Sequence, residues 1–343
     1  MTATMLAPAA RLLWRSASEA QIEVGNRRVV VDGLGTDAVR RLIGRPGPGG
    51  DDVALVALQE RLVESGYLWD GPDAVLSGSE SERFGVDARR TVAHPRLAGE
   101  LTALSARAGQ SAAGLLAARR RCTVVVQGTG RVGPQIVAVL AAAGVGRVHA
   151  VDLSPARLRH ALPGGLAPTD EGLPFATATA LAAERQAPDA VCVPAPFGEP
   201  PDLVVLAIDE PVDDERRAAL HARSTAHLVV RVIAGHGAVG PLVLPGLTSC
   251  LRCADLHRLD RDPAWDALAA QLSISHRDRG ASEVAVATVV GGVAAVQALE
   301  FLDGGRPAAV EGTLEMQLPD WRLRRRTWPI HPDCDCLPDI QPG

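Results

Sequence analysis

One segment constrains the fold of this chain more than any other: a strand, a glycine-rich turn, a helix and a second strand follow one another between Thr123 and Asp152. The first strand runs into Gly128-Thr-Gly130-Arg-Val-Gly133. We predict that an apolar helix begins at Pro134, since proline is tolerated at the first helical position, where its missing N–H has no partner within the helix. The second strand ends at Asp152, nineteen positions after the third glycine. This order is typical of a mononucleotide- or dinucleotide-binding unit.

Each glycine has a distinct role in such a unit. Gly128 makes the tight turn, Gly130 lets a phosphate approach the backbone, and Gly133 lets the helix pack against the strand. The N–H groups at the start of the helix then bind the phosphate, and Asp152 is a candidate to hold a ribose hydroxyl. The alternative is a glycine turn that only connects a strand to a helix.

Further apolar runs predict a larger sheet. They are rich in Val, Leu and Ile and alternate with helical segments, so we expect an α/β, Rossmann-like, mostly parallel sheet with helices on both faces. The predicted strands are Thr123–Val126, Arg147–Val151, Ala190–Val193, Leu203–Ile208, Leu228–Ala234 and Ala238–Leu244, and Thr313–Leu318 and Trp321–Thr327 form a hairpin.

Asp209 follows the strand Leu203–Ile208 directly. Ligands of open parallel sheets bind beyond the carboxyl ends of the strands, so this carboxylate is a candidate ligand for Mg²⁺. The alternative is a helix N-cap, although Asp213 is the better placed residue for that role.

Two pairs of cysteines predict a zinc site. Cys250-Leu-Arg-Cys253 and Cys334-Asp-Cys336 are separated by 81 positions, so the fold must bring them together. Four thiolates make a closed tetrahedral site, and such a metal is structural because no position is open for substrate. The alternatives are buried cysteines without metal, or a site in which His331 competes as a ligand.

The sequence pattern of residues 1–78, which precede the predicted sheet, predicts a small winged-helix-like α+β domain. Two strands within Gln21–Val31 flank a turn at Gly25–Asn26, and Thr36–Ile43 and Val53–Ser65 have helical character. Residues 79–94 are polar and predict a linker, after which a nucleotide-binding domain spans 95–343 and begins with one helix over Pro95–Arg120.

Composition excludes several classes. A net charge of −5 and a pI near 6.0 argue against nucleic acid as a partner. The chain contains no lysine, which excludes Schiff-base chemistry and a P-loop lysine. The apolar run Val284–Leu299 is shorter than the roughly twenty residues of a membrane span and predicts a buried helix, so we expect no membrane association. Paired cysteines without a secretion signal favour a reducing, cytoplasmic setting.

Together these segments resemble the ThiF/MoeB/HesA family, which is related to the ubiquitin-activating enzymes. The resemblance covers roughly Pro95 to Leu337 and is carried by VVVQGTGRVGPQIVAVLAAAGVGRVHAVD, the C-x-x-C pair, the helix VAVATVVGGVAAVQALEFLDG and the ending HPDCDC. The phrase SCLRCADLHRLDRD looks most like an actinobacterial branch linked to thiazole- or oxazole-modified peptides. The first ~75 residues are similar to a PqqD-like leader-peptide recognition domain.

The resemblance implies an ATP- and Mg²⁺-dependent adenylyltransferase that activates a C-terminal carboxylate. The partner is then a peptide, a ubiquitin-like protein or a sulfur-carrier protein, and a modification enzyme is a further candidate partner. The resemblance also implies a homodimer in which Arg89, Arg90 or Arg96 reaches the other subunit's phosphates. The implied roles are phosphate binding by Gly128, Gly130 and Gly133, ribose binding by Asp152, metal binding by Asp209 and structural zinc on the four cysteines.

The chain departs from the family pattern at the chemical step. Arg131 stands where the family has glycine, so its side chain is expected beside the nucleotide, and Ser154 replaces a second acid. Arg157 and Arg159 are partial substitutes for a missing Ser-Asn-x-x-Arg segment, and no cysteine lies in 254–280 for a thioester step. Two alternatives therefore stay open: a non-catalytic scaffold that binds a leader peptide and docks a partner enzyme, and an NAD(P)-dependent reductase.

Overall fold

The contacts within the chain divide it into two compact units, Met1–Arg120 and Arg121–Gly343. The structure is a computed structural model. The residues that it describes are 5–7, 9–33, 37, 39, 53–69, 95–105, 112–128, 130–152, 154–192, 200–208, 211–233, 235–275, 282–317 and 319–336.

The first unit contains a small antiparallel sheet covered by a helix. The predicted hairpin is confirmed, with Gly25 at φ +61° in its turn, and so is the helix that was predicted over Val53–Ser65. The apolar faces of the hairpin and of this helix form one core, which includes Ile22, Val24 and Leu62. The predicted helix Thr36–Ile43 lies almost entirely outside the described residues. The elements are β1 (Met5–Leu6), β2 (Ala10–Trp14), β3 (Glu19–Val24), β4 (Arg27–Asp32), α1 (Val53–Glu64) and β5 (Leu68–Trp69), with sheet orders β2-β3-β4 and β1-β5.

The end of the first unit is helical but interrupted. A 3₁₀ turn at Pro95–Leu97 leads into α2 (Ala98–Leu104), and α3 follows at Ala112–Arg121, so the prediction of one helix over Pro95–Arg120 is wrong. The α2 helix ends at Ser105, whose hydroxyl donates to the carbonyl of Thr102 and competes with the helical pattern. The predicted linker 79–94 lies outside the described residues, so the domain boundary stays a prediction.

The second unit is built on a seven-stranded sheet of order β12-β11-β10-β9-β8-β6-β7. The four strands β9, β8, β6 and β7 run parallel, which confirms the Rossmann-like core, and the remaining three extend it in antiparallel fashion. The hairpin at the end of the chain is also confirmed. The strands are β6 (Thr123–Gln127), β7 (Arg147–Val151), β8 (Leu203–Ala207), β9 (His227–Ile233), β10 (His236–Val243), β11 (Gly312–Gln317) and β12 (Arg324–Thr327).

The strand predicted over Ala190–Val193 is described only over residues 190–192, and Val193 lies outside the described residues. In the described part, Val191 makes a parallel β-bridge to Arg147, and its backbone exchanges hydrogen bonds with Gly146 and Val148. The segment therefore reaches the sheet edge at one described residue, and the full strand stays a prediction.

The described residues of the second unit also form six α-helices: α4 (Val132–Ala142), α5 (Phe175–Glu184), α6 (Asp214–Ala222), α7 (Leu251–Leu259), α8 (Trp265–Ser275) and α9 (Val284–Leu302). Helix α9 is long and apolar enough to cross a membrane by length and composition. It packs instead on α4, β9 and β10, and residues such as Val286, Val290 and Ala294 enter the main core, as predicted for a buried helix.

Candidate nucleotide site and metal centre

The glycine turn after β6 is dictated by the backbone of β8. Gly128 has φ +137°, a conformation that side chains rarely adopt, and a Cβ built on it would lie 1.9 Å from the carbonyl oxygen of Ala207. Gly133 packs closely too, because its Cβ would lie 3.3 Å from the carbonyl oxygen of Gly128 and 3.6 Å from Val126. A Cβ on Gly130 would meet nothing within 4 Å. Gly128 and Gly133 thus pack closely on neighbouring atoms and Gly130 does not, while the phosphate-binding roles stay predictions.

Helix α4 begins at Val132, two residues before the predicted start. Pro134 is therefore the third helical residue, and its missing N–H is still one of the four that have no partner within a helix. The cap residue Arg131 makes no side-chain capping hydrogen bond. The start of α4 thus presents backbone N–H groups that its own capping side chain does not satisfy.

The sheet register brings Asp152 to the same edge as the glycine turn. Gln127 pairs with Val151, so Gly128 and Asp152 leave neighbouring parallel strands at the same level. The Oδ1 atom of Asp152 accepts hydrogen bonds from the backbone N–H of Ser154 at 2.7 Å and from its hydroxyl at 2.6 Å. Ser154, which replaces an acid of the family pattern, therefore fixes the orientation of the carboxylate.

Asp209 itself lies outside the described residues, but β8 reaches the same edge because Gln127 also pairs with Leu206. The alternative role for Asp209 as a helix cap is excluded for α6. The cap of that helix is Asp213, whose carboxylate accepts a hydrogen bond from the backbone N–H of Arg216 at 2.7 Å.

Three arginines and Asp152 gather around one buried imidazole, that of His160. Burial lowers the pKa of His160, the charges of Arg159, Arg131 and Arg157 lower it further, and the charge of Asp152 acts in the opposite direction. Arg157 and Arg159 are exposed. The proposed arginine substitutes and the ribose-binding candidate thus act on the same imidazole, and the net effect is a lowered pKa.

The four predicted zinc ligands come together in the second unit. Cys250 is the cap of α7, Cys253 lies in its first turn, and Cys334 and Cys336 follow β12. Their sulfur atoms all lie within 4.8 Å of one another, and the closest pairs are 3.9 Å (Cys250–Cys253), 3.6 Å (Cys250–Cys334) and 3.5 Å (Cys253–Cys336). Tetrahedral Zn–S bonds of about 2.3 Å give sulfur separations of about 3.8 Å, so the cluster fits zinc.

The hydrogen bonds within this cluster favour the thiolate form of one cysteine. Hydrogen bonding from Cys250 lowers the pKa of Cys253 to about 4, whereas the same bond raises the pKa of Cys250. Burial raises the pKa of Cys336 to about 12. A divalent ion supplies the charge that stabilises further thiolates, which is the chemistry expected of a structural zinc site.

His331 supports the cluster and is not needed as a ligand. Its backbone N–H bonds to Cys253, its Nδ1 accepts from the N–H of Asp333 at 3.1 Å, and its Nε2 pairs with Asp260 at 3.0 Å. Both ring nitrogens are therefore engaged. His257 donates from Nε2 to the carbonyl of Pro329 at 3.0 Å and so joins α7 to the same tail. This network was missed in the sequence, although Cys253, His257 and Asp260 recur at helical spacing.

Neither a protein-family model nor a curated protein sequence matches this chain. Solved structures do match it. E. coli MccB with ATP superposes with a TM-score of 0.69 at 13% identity, over 98% of this chain and 99% of that one. The microcin C7 biosynthetic enzyme MccB in complex with N-formylated MccA gives 0.68 at 13% identity, over 97% and 99%. The chain has the fold of MccB.

The match to MccB covers both units and confirms the expected ThiF/MoeB-like fold. A heterocyclase in complex with substrate and cofactor shares the fold as well, with a TM-score of 0.63 at 14% identity. That match covers 98% of this chain but only 39% of the heterocyclase, so the shared fold is part of a longer chain there.

Proposed function

We propose that this protein is an ATP- and Mg²⁺-dependent adenylyltransferase that activates the C-terminal carboxylate of a peptide. The observation that carries the proposal is the glycine turn at Gly128, with Asp152 level with it on the next strand, in a fold that MccB uses in structures with ATP and with MccA. A nucleotide site at the carboxyl edge of a parallel sheet is where this architecture binds ligands.

The residues of the site suit the reaction. The peptide carboxylate attacks the α-phosphorus of ATP, the bond to the β-phosphate breaks, and pyrophosphate leaves as the acyl adenylate forms. Backbone N–H groups at the start of α4 hold phosphate, Asp152 holds the ribose, and Arg157 and Arg159 offset charge on the leaving group. Asp209 would hold Mg²⁺, which neutralises charge on the phosphates.

The four cysteines have a structural role in this proposal. A zinc ion bound by Cys250, Cys253, Cys334 and Cys336 is saturated and offers no position to substrate. It ties the tail after β12 to the start of α7. We place the protein in the cytoplasm, where reduced thiols remain available to zinc.

The first unit suits peptide capture. Its three-stranded sheet has two edges, β2 and β4, and Leu13, Trp14 and Val30 on those strands are exposed. An extended leader peptide added to one edge gains main-chain hydrogen bonds, and the exposed apolar side chains supply contacts for its side chains.

The homodimer and the docked modification enzyme stay proposals. The role of Arg96 at the other subunit's phosphates is also a proposal, and Arg89 and Arg90 lie outside the described residues.

A scaffold that has lost adenylation remains a second candidate, because the chain has no lysine and its one asparagine, Asn26, lies in the first unit. In this candidate the peptide and a partner enzyme bind without ATP turnover. The reductase is not favoured, since the matched fold is that of MccB, which is found with ATP.

Pyrophosphate exchange on zinc-loaded protein separates the two candidates. The assay contains ATP, Mg²⁺ and a candidate peptide with a free C-terminus, and its matched control is the same peptide with a C-terminal amide. Exchange that requires the free carboxylate and is lost in Asp209→Asn supports the enzyme. Peptide binding without exchange, together with no ATP binding at millimolar concentration, overturns the enzyme and leaves the scaffold.

A further inference from the structure

Arg131, in the middle of the glycine turn, connects three segments that are distant in sequence. Its Nε–H donates to the carbonyl of Arg159 at 2.5 Å, and its Nη1–H donates to the carbonyl of Ser282 at 2.9 Å. Arg159 lies 28 positions and Ser282 lies 151 positions farther along the chain. One side chain therefore joins the glycine turn to the β7–α5 connection and to the residues before α9.

The guanidinium of Arg131 has no acidic partner among the described residues, where both of its hydrogen-bond acceptors are neutral carbonyls. A guanidinium has five N–H donors, and these two bonds leave three for other acceptors. Arg131 is also the cap residue of α4, where the helix dipole disfavours a cation. A fixed positive charge at this position is therefore unfavourable until an anion is bound nearby.

Two neighbouring arginines make the positive charge of Arg131 still less favourable in the absence of an anion. Arg157 and Arg159 act on the same imidazole as Arg131, and Asp152 is the one carboxylate that acts with them. The Oδ1 atom of that carboxylate is engaged by Ser154. Among the charged groups that act on this imidazole, the positive ones thus outnumber the negative one, in a chain that has no lysine.

We propose that Arg131 is a positioning residue that holds the two flanking segments against the glycine turn and selects a polyphosphate over an uncharged ligand. This inference rests on the proposed nucleotide site. The expected ligand class is a nucleoside triphosphate. The negative charge of a nucleotide increases with each added phosphate, whereas adenosine carries no negative charge. Arg131 then supplies a fixed positive charge through a planar fork, which a lysine does not have.

Variants at Arg131 separate charge from geometry. Arg131→Gln removes the charge and keeps an amide donor, and Arg131→Lys keeps the charge but has no fork to reach both carbonyls. We expect Arg131→Gln to weaken ATP binding at least tenfold and Arg131→Lys to weaken it two- to tenfold, while adenosine affinity changes less than twofold. The matched control is Arg223→Gln, at an exposed arginine that ends α6, and its ATP affinity is expected to equal that of the wild type.

Calorimetric titration of the zinc-loaded full chain with ATP, AMP and adenosine measures these effects, and thermal unfolding checks that each variant folds. The loss for Arg131→Gln is expected to be largest for ATP and to shrink as salt is added, because screening weakens the contribution of charge. In pyrophosphate exchange the same variant is expected to raise the KM for ATP more than it lowers kcat.

The outcomes distinguish the two proposals. Wild-type protein that binds no ATP overturns the proposed function and this inference with it. Wild-type protein that binds ATP, with Arg131→Gln equally tight, overturns the inference alone. Should Arg131→Gln fail to fold, Arg131→Lys decides: ATP binding unchanged from the wild type contradicts the inference, and a two- to tenfold loss supports it.

Discussion

At the scale of single residues, the glycine turn of the site includes a position that tolerates only glycine. Gly128 is such a position, because its φ of +137° and the carbonyl of Ala207 leave no room for a Cβ. Gly130, two residues later, has open space beside it. The two glycines look equivalent in the motif, yet the first is required by the fold and the second by the proposed ligand.

Substitution of each glycine by alanine tests this distinction. Gly128→Ala is expected to destabilise the protein by about 2–4 kcal/mol, since the strained backbone and the clash add. Gly130→Ala is expected to change stability by less than about 0.5 kcal/mol, because nothing obstructs the methyl group, and yet to weaken ATP binding. Denaturant unfolding measures the first effect and calorimetry the second. Equal stabilities for the two variants would contradict this account of the turn.

At the scale of elements, the connection from β7 to α5 is held in shape by one buried carboxylate. Asp170 accepts hydrogen bonds from the guanidinium of Arg185 at 2.8 Å and from the N–H of Ala167 at 2.7 Å. Burial alone would raise the pKa of Asp170, but the bonds from Arg185 and Ala167 outweigh it and hold the pKa below its ordinary value of 3.8. The same connection carries Arg157, Arg159 and His160 to the glycine turn.

The pH dependence of stability follows from that lowered pKa. A carboxylate whose pKa is depressed by folding contributes its full stability above the unfolded pKa, and the contribution is lost as the pH falls through the folded pKa. We expect Asp170→Asn to cost about 1–3 kcal/mol at pH 7 and to flatten the decline of stability below about pH 5. Urea unfolding between pH 3 and 7 measures both. Glu171→Gln, at the exposed neighbour, is the control, and a slope that Asp170→Asn leaves unchanged would refute the assignment.

Local patterns were sufficient to predict some elements and not others. The glycine turn, the helix after it and the two cysteine pairs could be predicted, because each of these features has a characteristic pattern within a few neighbouring residues. The break at Ser105 could not be predicted, since apolar runs suit several structures and tertiary packing decides among them. The direction of the Arg131 side chain depends on Ser282, 151 positions away, and no local pattern contains that information.

At the scale of the whole molecule, two units with separate cores share one chain, and the metal centre belongs to the second. All four cysteines, together with the supporting Asp260 and His331, lie within Arg121–Gly343. The core that holds Ile22 and Leu62 lies within the first unit. Because structural zinc contributes directly to folding, its removal should affect the unit that contains it and spare the other.

Hydrogen exchange with and without a zinc chelator tests this division on the intact chain. We expect chelation to remove amide protection from α7 and from the tail at Cys334–Cys336, because the tail loses the ion that joins it to Cys250. Protection in β3 and β4 is expected to stay the same, since their hydrogen bonds are made within the small sheet. Mass spectrometry of peptic fragments gives protection for each segment, and addition of zinc should restore it. Loss spread evenly over both units would show that they unfold together. Unchanged protection in α7 would show that the hydrogen bond from His331 to Asp260 holds the tail without metal.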